Sequence, residues 1–177
     1  MTIISASFWR DANSVPITPD GVITSTSKTL VASGATAVVP IFKITGSIEC
    51  KGLWGIVTTD LGNNTAAYWR LNDQTAQTNI TVNTGTALTN AKKGSFILKN
   101  ALNTVAIVKK DAVAGAYTET ASAGQVFMQR FAVTQKTGGV ETDVEFVYTT
   151  SDTPTTGAIQ FFMRWVPLSI DGSVDPL

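Results

Sequence analysis

One segment of the chain alternates with a period of two residues: Val140-Glu141-Thr142-Asp143-Val144-Glu145-Phe146-Val147-Tyr148. In an extended strand, successive side chains point to opposite faces of a sheet. The even-numbered residues, with Val144 and Phe146 at their centre, therefore share one face, and the three acidic residues share the other. This pattern predicts a half-buried β-strand, whose apolar face packs on a core.

Turn and strand signals flank this segment on both sides. Lys136-Thr137-Gly138-Gly139 predicts a hairpin turn built on a Gly-Gly pair, preceded by a strand over 125–135. After a polar loop over 151–157, a last long strand is predicted over 158–166. Its residues Ile159, Phe161, Met163 and Trp165 lie on one face, and Pro167 ends it.

Upstream, the same signals recur at short intervals. The predicted strands cover 37–44, 48–59, 65–72, 77–83, 95–98 and 104–109. Pro40 makes the first of these an edge or bulged strand. Asp60-Leu61-Gly62-Asn63-Asn64 predicts a hairpin-type turn, and residues 89–93 predict a single helical turn stopped by Gly94.

The strand over 48–59 is apolar on both faces. Ile48, Cys50, Trp54 and Ile56 are expected on one face and Leu53 and Val57 on the other. Such a strand is typical of a central position covered on both sides. Gly52 and Gly55 predict a bulge or a close approach of another chain segment.

Composition favours the same class. The chain has 177 residues, of which Thr, Ser, Asn and Gly together make up 62, while 44% are hydrophobic and 15% are charged. These are strand and turn formers, with few strong helix formers. We therefore predict an all-β protein, an antiparallel, jelly-roll-like β-sandwich of about eight strands. A helical bundle, a coiled coil and a polybasic nucleic-acid binder are excluded.

The N-terminal region is predicted to be an extended arm over residues 1–25, followed by one sandwich domain over 26–177. Prolines prevent a central position in a sheet, and residues 24–28 are polar enough to suggest a mobile connection. The residues expected to make intersubunit contacts here are Val15, Pro16, Ile17, Pro19, Val22 and Ile23.

The chain contains few of the residue types that enzymes use for catalysis. It has no histidine, and its one cysteine is Cys50, so it lacks a Ser-His-Asp or Cys-His site and a typical structural zinc site. No phosphate-binding glycine motif is present. We predict no enzyme activity, no catalytic residues and neither a cofactor nor a metal, and we rank a hydrolase last.

Charge is unevenly distributed along the sequence. Residues 1–110 carry ten basic and five acidic residues, and residues 111–177 carry three basic and eight acidic ones. Lys92 and Lys93 belong to the basic cluster, and Glu141, Asp143 and Glu145 form an acidic row. These five are candidate interface residues. The row is either a solvated face, a cross-strand or intersubunit ion-pair ladder, or a site for a hard cation such as calcium.

An aromatic residue stands beside an arginine in Tyr68-Trp69-Arg70. Such a group can stack on a sugar or a base. Alternation along a strand instead buries Trp69 in the core and leaves Tyr68 and Arg70 outside, or the reverse. These three residues are the candidate ligand-binding residues.

Two segments resemble the small all-β virion structural proteins of tailed bacteriophages. The first is the last strand with its Pro167-Leu168-Ser169-Ile170-Asp171-Gly172 tail, and the second spans 28–48. The resemblance covers most of the chain from Lys28 onward and carries no catalytic motif. It implies a capsid decoration or cement protein, often a trimeric jelly roll.

The expected function is therefore that of a non-enzymatic virion protein. The expected partners are the chain itself, as a homotrimer, and the major capsid protein or other virion proteins, with no nucleic acid and no membrane. Its low charge fits a subunit that buries surface in an assembly. The first residues lack a secretory signal pattern, so we expect synthesis in the host bacterial cytoplasm and a final place in the virion. The alternative is a carbohydrate- or receptor-binding module of a phage tail, which uses residues 68–70 and a loop over 111–124.

Overall fold

The computed structural model of the chain describes residues 20–31, 36–62, 64–82, 88, 90–99, 104–110, 130–135, 139–150 and 157–177. These ranges contain eleven strands and no helix. The strands are β1 (Val22–Leu30), β2 (Thr36–Thr45), β3 (Ser47–Thr59), β4 (Asn64–Asn72), β5 (Gln77–Asn79), β6 (Phe96–Leu98), β7 (Val108–Lys110), β8 (Phe131–Thr134), β9 (Thr142–Thr150), β10 (Gly157–Pro167) and β11 (Ser173–Pro176).

The strands form two antiparallel sheets packed face to face. Sheet one has the order β1-β10-β3-β6-β7, and β8 pairs with the first residues of β3, beyond the end of β6. Sheet two has the order β11-β2-β9-β4-β5. The predicted all-β class and sandwich architecture are confirmed.

The core lies between the two sheets and is rich in aromatic residues. In β9 and β10 the predicted core faces are confirmed, because Val144, Phe146, Phe161 and Trp165 are all buried, but β9 is not half-buried as predicted, since Glu145 and Val147 on its outer face are buried as well. The rings of Phe146 in sheet two and Phe161 in sheet one meet at a centroid distance of 4.9 Å. This aromatic contact joins the two longest alternating segments of the sequence across the sandwich.

Two predicted hairpins are wrong. β3 belongs to sheet one and β4 to sheet two, so the 60–64 connection passes from one sheet to the other. Leu61 is buried on the way, and its N–H donates to the carbonyl of Ala91 over 2.8 Å. β8 and β9 also lie in different sheets. Turn residues reverse the chain, but they do not decide whether the next strand pairs with the last one.

A bulge in β3 changes the predicted faces of that strand. Cys50 pairs with Trp165 and Gly52 with Arg164, which leaves Lys51 as an extra residue. One extra residue moves everything after it to the opposite face. Leu53 and Val57 are therefore in the core with Ile48 and Cys50, whereas Trp54 and Ile56 point outward. The predicted bulge is confirmed, and the predicted grouping of Trp54 and Ile56 with Ile48 and Cys50 is wrong.

The N-terminal part of the described chain is an edge strand. β1 includes Val22 and Ile23 from the predicted arm, and it pairs with β10 over its whole length. Residues 24–28 are thus a strand and not the mobile connection that we expected. The Thr24 hydroxyl accepts a hydrogen bond from Trp165 Nε1 (2.9 Å) and donates to the carbonyl of Val174 (3.2 Å). Val15, Pro16, Ile17 and Pro19 lie outside the described residues.

Three shorter predictions also differ from the structure. β5 ends at Asn79 although a strand was predicted to Asn83, and β7 begins only at Val108. The predicted helical turn over 89–93 is absent from its described residues 90–93, where Asn90 takes a left-handed φ of 56°. β2 does carry the predicted bulge, between Pro40 and Phe42. The predicted loop over 111–124 lies outside the described residues.

Candidate interaction surface

The acidic row of β9 lies on the outer face of sheet two, as the alternation predicts. Glu141 pairs with Lys43 Nζ (2.8 Å), and Glu145 pairs with Arg70 Nε (2.5 Å). Glu145 also accepts a hydrogen bond from Asn72 Nδ2 (2.9 Å). The geometry is that of a cross-strand ladder within one subunit, because Lys43 is on β2 and Arg70 and Asn72 are on β4.

Asp143 lies between the two glutamates of the row and is less well paired. Its carboxylate accepts a hydrogen bond from Gln74 Nε2 over 3.2 Å. Partial burial, and then the negative charge of Glu145, raise the pKa of Asp143, whereas the carboxylate of Glu141 raises the pKa of Lys43. Within the described ranges, no group of three or more His, Cys, Asp or Glu residues is arranged to hold a metal ion.

The candidate ligand residues on β4 are divided between the two faces of sheet two. Trp69 is fully buried, and its ring lies 6.0 Å from that of Phe146. Tyr68 and Arg70 point outward, and Arg70 Nη1 also donates to Gln77 Oε1 over 2.6 Å. The buried ring of Trp69 offers no surface for a sugar, so Tyr68 is the one aromatic of this group that faces outward.

The two candidate lysines lie in a turn next to the end of β3. Lys92 Nζ pairs with Asp60 Oδ2 over 3.0 Å, and the backbone N–H of Lys93 donates to Asp60 Oδ1 over 2.7 Å. These contacts, with the Lys93 N–H first, lower the pKa of Asp60. Both lysines are exposed, and their partner is Asp60 and not the acidic row. Lys99, a third lysine close to them in the sequence, is buried, and burial lowers the pKa of its ammonium.

The outer face of sheet one carries an apolar row that the sequence analysis did not predict. The register places four outward side chains side by side on four neighbouring strands: Phe162 on β10, Trp54 on β3, Leu98 on β6 and Val108 on β7. The rings of Trp54 and Phe162 stack at 5.3 Å with an interplanar angle of 8°. We call these four residues, with Ile56 and Phe96 in the next register row, the apolar row.

The apolar row has accessible surface and a polar border. Trp54, Phe162 and Ile56 are half-buried, and Phe96 is exposed. Ser25, Ser27 and Gln160 continue the two register rows toward β1. An apolar centre with a polar rim is the usual composition of a protein–protein interface. The Lys51 bulge is the reason that Trp54 and Ile56 reach this face, and of the two glycines that signalled a bulge in the sequence, Gly52 is the one beside it.

No protein-family model, curated protein or solved structure matches this chain. No helix long and apolar enough to cross a membrane occurs in the part of the chain that the structure describes.

Proposed function

We propose that this protein is a non-enzymatic structural subunit of a tailed-phage virion, a capsid decoration or cement protein that acts as a homo-oligomer. The observation that carries the proposal is the apolar row on the outer face of sheet one. Contiguous apolar surface that stays accessible on a folded domain marks a site of contact with another molecule, and we assign it to a protein partner. The function follows from contact area, and no step of bond chemistry is required.

The order of the strands supports a jelly-roll assignment and, with it, a virion role. In sheet one, the early strands β1 and β3 alternate with the late strand β10, and in sheet two, β2 and β4 alternate with β9. This interleaving of early and late strands is typical of the Greek-key connections of a jelly roll. Jelly rolls are common in viral capsid and lectin domains.

The stacked pair of Trp54 and Phe162 would anchor the contact with a capsid shell. Stable interfaces bury roughly 1,200–2,000 Å² in total, with most of the binding energy in a few aromatic or arginine side chains near the centre. Phe96, Ile56 and the exposed Arg164 surround this pair on neighbouring register positions. The N-terminal arm would add to this area, on the shell or on a neighbouring subunit, and the virion would be the site of action after synthesis in the host cytoplasm.

The test is binding to capsid shells of the phage that encodes the chain, prepared without this protein. Trp54→Ser and Phe162→Ser should each weaken shell binding at least tenfold, whereas Val38→Ser, an exposed apolar residue on the outer face of sheet two, should not. The proposal would be overturned if mass spectrometry did not detect this protein in purified particles. It would also be overturned if the Trp54→Ser and Phe162→Ser variants bound shells as tightly as the parent does.

A truncation tests the arm separately. Removal of residues 1–19 should weaken shell binding and leave the sandwich folded. Removal of residues 1–25 is not a clean test, because it deletes Thr24, the partner of Trp165 Nε1. Unchanged affinity after removal of 1–19 would show that the arm plays no part.

The alternative, a carbohydrate- or receptor-binding module, has weaker support. Tyr68 faces outward with Val147 and Val38 at neighbouring register positions, which gives it a small apolar surround. Saturable binding on a glycan array that is lost in Tyr68→Ala would favour this function over the first.

A further inference from the structure

A tight turn between β10 and β11 presents a fully exposed isoleucine. Ile170 is 100% exposed, and Leu168, two residues before it, is 58% exposed. Isoleucine is among the residues most often found buried in folded proteins. Leu168 and Ile170 place two exposed apolar side chains close together on one turn, and exposed apolar patches mark contacts with other molecules.

Hydrogen bonds fix this turn to the start of β3. The N–H of Ser47 donates to Ser169 Oγ (2.7 Å), and the N–H of Leu168 donates to the carbonyl of Ser47 (2.8 Å). Gly46 takes a positive φ of 62°, and a Cβ there would lie 2.5 Å from Asp171 Oδ1. Ile170 is therefore presented on a fixed support, which lowers the entropy that a contact would cost.

An open cavity lies beside the same turn. It has a volume of about 390 Å³ and is lined by Glu49, Arg130, Phe131, Ala132 and Leu168. Phe131 and Leu168 give it apolar walls, and Glu49 and Arg130 give it one charge of each sign. Because Ile170 is fully exposed, it does not fill the cavity of its own subunit.

We propose that Ile170 of one copy of this chain docks into the cavity of a second copy. Ile170 and the cavity lie on the same surface, because Leu168, two residues before Ile170, forms part of the cavity wall. A two-fold pair would thus occupy both cavities at once, and a closed ring would occupy each cavity from the next subunit. The aliphatic side chain of Ile170 would contact the apolar walls that Phe131 and Leu168 provide.

The charges at the cavity make the surface complementary to itself. Arg130 Nη1 and Glu49 Oε1 are 3.9 Å apart, longer than the roughly 2.7–2.9 Å of a direct charge-assisted hydrogen bond. In a two-fold pair, this long intrasubunit ion pair would exchange partners, with Glu49 of each copy opposite Arg130 of the other. Opposite charges at the rim of an interface set partner choice and register.

This inference rests on the homo-oligomer in the proposed function, but its test uses the isolated protein without shells. The mass in solution is measured by light scattering and sedimentation over a concentration series. The parent chain should be a dimer or a closed ring. Ile170→Asp should weaken association at least tenfold, with unchanged circular dichroism, and its melting temperature should equal the parent's at concentrations where both are monomeric, because the side chain is exposed in the single subunit.

Two further variants separate docking from a general effect of charge. Val31→Asp, at a residue that is 64% exposed, is the matched control and should associate as the parent does. Ala132→Trp narrows the cavity and should reproduce the loss seen with Ile170→Asp. A parent chain that is monomeric at its highest soluble concentration, or an Ile170→Asp variant with the parent's mass profile, would overturn the inference, while the shell-binding proposal would keep its own test.

Discussion

The outer faces of the two sheets differ although both sheets enclose the same core. On sheet two, the outward side chains of β9 are acidic and bind to Lys43, Arg70 and Asn72 of the neighbouring strands. On sheet one, the outward side chains at the centre of the sheet are Trp54 and Phe162, which stack on each other and keep accessible apolar surface. The first face satisfies its polar groups within the subunit, and the second has area left for a partner.

The difference teaches that burial alone does not show which side chains belong to the core between the sheets. Glu145 on the outer face of sheet two is only 5% exposed in its side chain, and Leu98 on the outer face of sheet one is also buried. Outward positions on a sheet therefore need to be interpreted by their chemistry as well as by their burial.

The largest expected effect is on the charged face, at Arg70. Arg70→Met leaves the buried carboxylate of Glu145 with Asn72 but without its cation. Removing one partner of a buried ion pair is strongly destabilising, because the other charge stays buried without its partner. We therefore expect a loss of about 3 kcal/mol in the free energy of unfolding. Urea unfolding monitored by fluorescence measures it.

Lys43→Met is the matched control for this prediction. The pair of Lys43 with Glu141 is exposed, and exposed pairs contribute little to stability, so the loss should be much smaller than in Arg70→Met. Equal losses in the two variants would contradict the distinction between a buried and an exposed pair on this face.

The next effect is on the apolar face, where a double-mutant cycle isolates the stack. Trp54→Ala and Phe162→Ala should each destabilise the protein, and the double variant should lose about 0.5–1.5 kcal/mol less than their sum. Chemical denaturation of the four proteins gives the coupling energy. Strict additivity would mean that the stacked geometry contributes nothing beyond burial.

The smallest effects are pH dependences of opposite sign. Because the pKa of Asp143 is raised in the folded protein, the folded state holds its proton to a higher pH than the unfolded state. The ionisation of Asp143 therefore lowers the free energy of unfolding as the pH rises through that pKa. Asp143→Asn should unfold at an equal or higher temperature than the parent at pH 7, and the two should converge in acid.

Asp60 has the reverse sign, since its pKa is lowered in the folded protein. Its contribution is present above its unfolded pKa and is lost as pH falls through the folded pKa. The Asp60→Asn variant should therefore have a lower melting temperature than the parent at neutral pH and the same melting temperature in acid. Melting curves that shift in the same direction for both variants would contradict these assignments.

Much of the fold was predictable because local patterns are strong in some strands. The alternation of β9 and β10 predicts both their strand character and their buried faces, and the composition predicts an all-β class. β1 was not predictable from periodicity, because Thr24-Ser25-Thr26-Ser27-Lys28 is polar on both faces. The crossings between sheets depend on which strands pair, and no turn signal specifies that.

The candidate surface was predictable only in part. The acidic row followed from alternation, but the alternatives for it could be separated only once Lys43 and Arg70 were placed beside it. The apolar row depends on where Lys51 sits relative to β10, and that is a property of the pairing and not of β3 alone. Ile170 carries no local signal, since an isolated isoleucine in a turn has the same sequence context whether or not it is exposed.

The bulge at Lys51 has a consequence for how this protein tolerates changes in length. Loss of that one codon in frame would remove the extra residue and restore regular pleating, and because Leu53 would then follow Cys50 by two positions, Leu53 and Val57 would stay inward and Trp54 and Ile56 outward. A replacement of Lys51 by another amino acid keeps the count and leaves the faces as they are. At this position β3 should therefore tolerate both the substitution of the residue and its deletion.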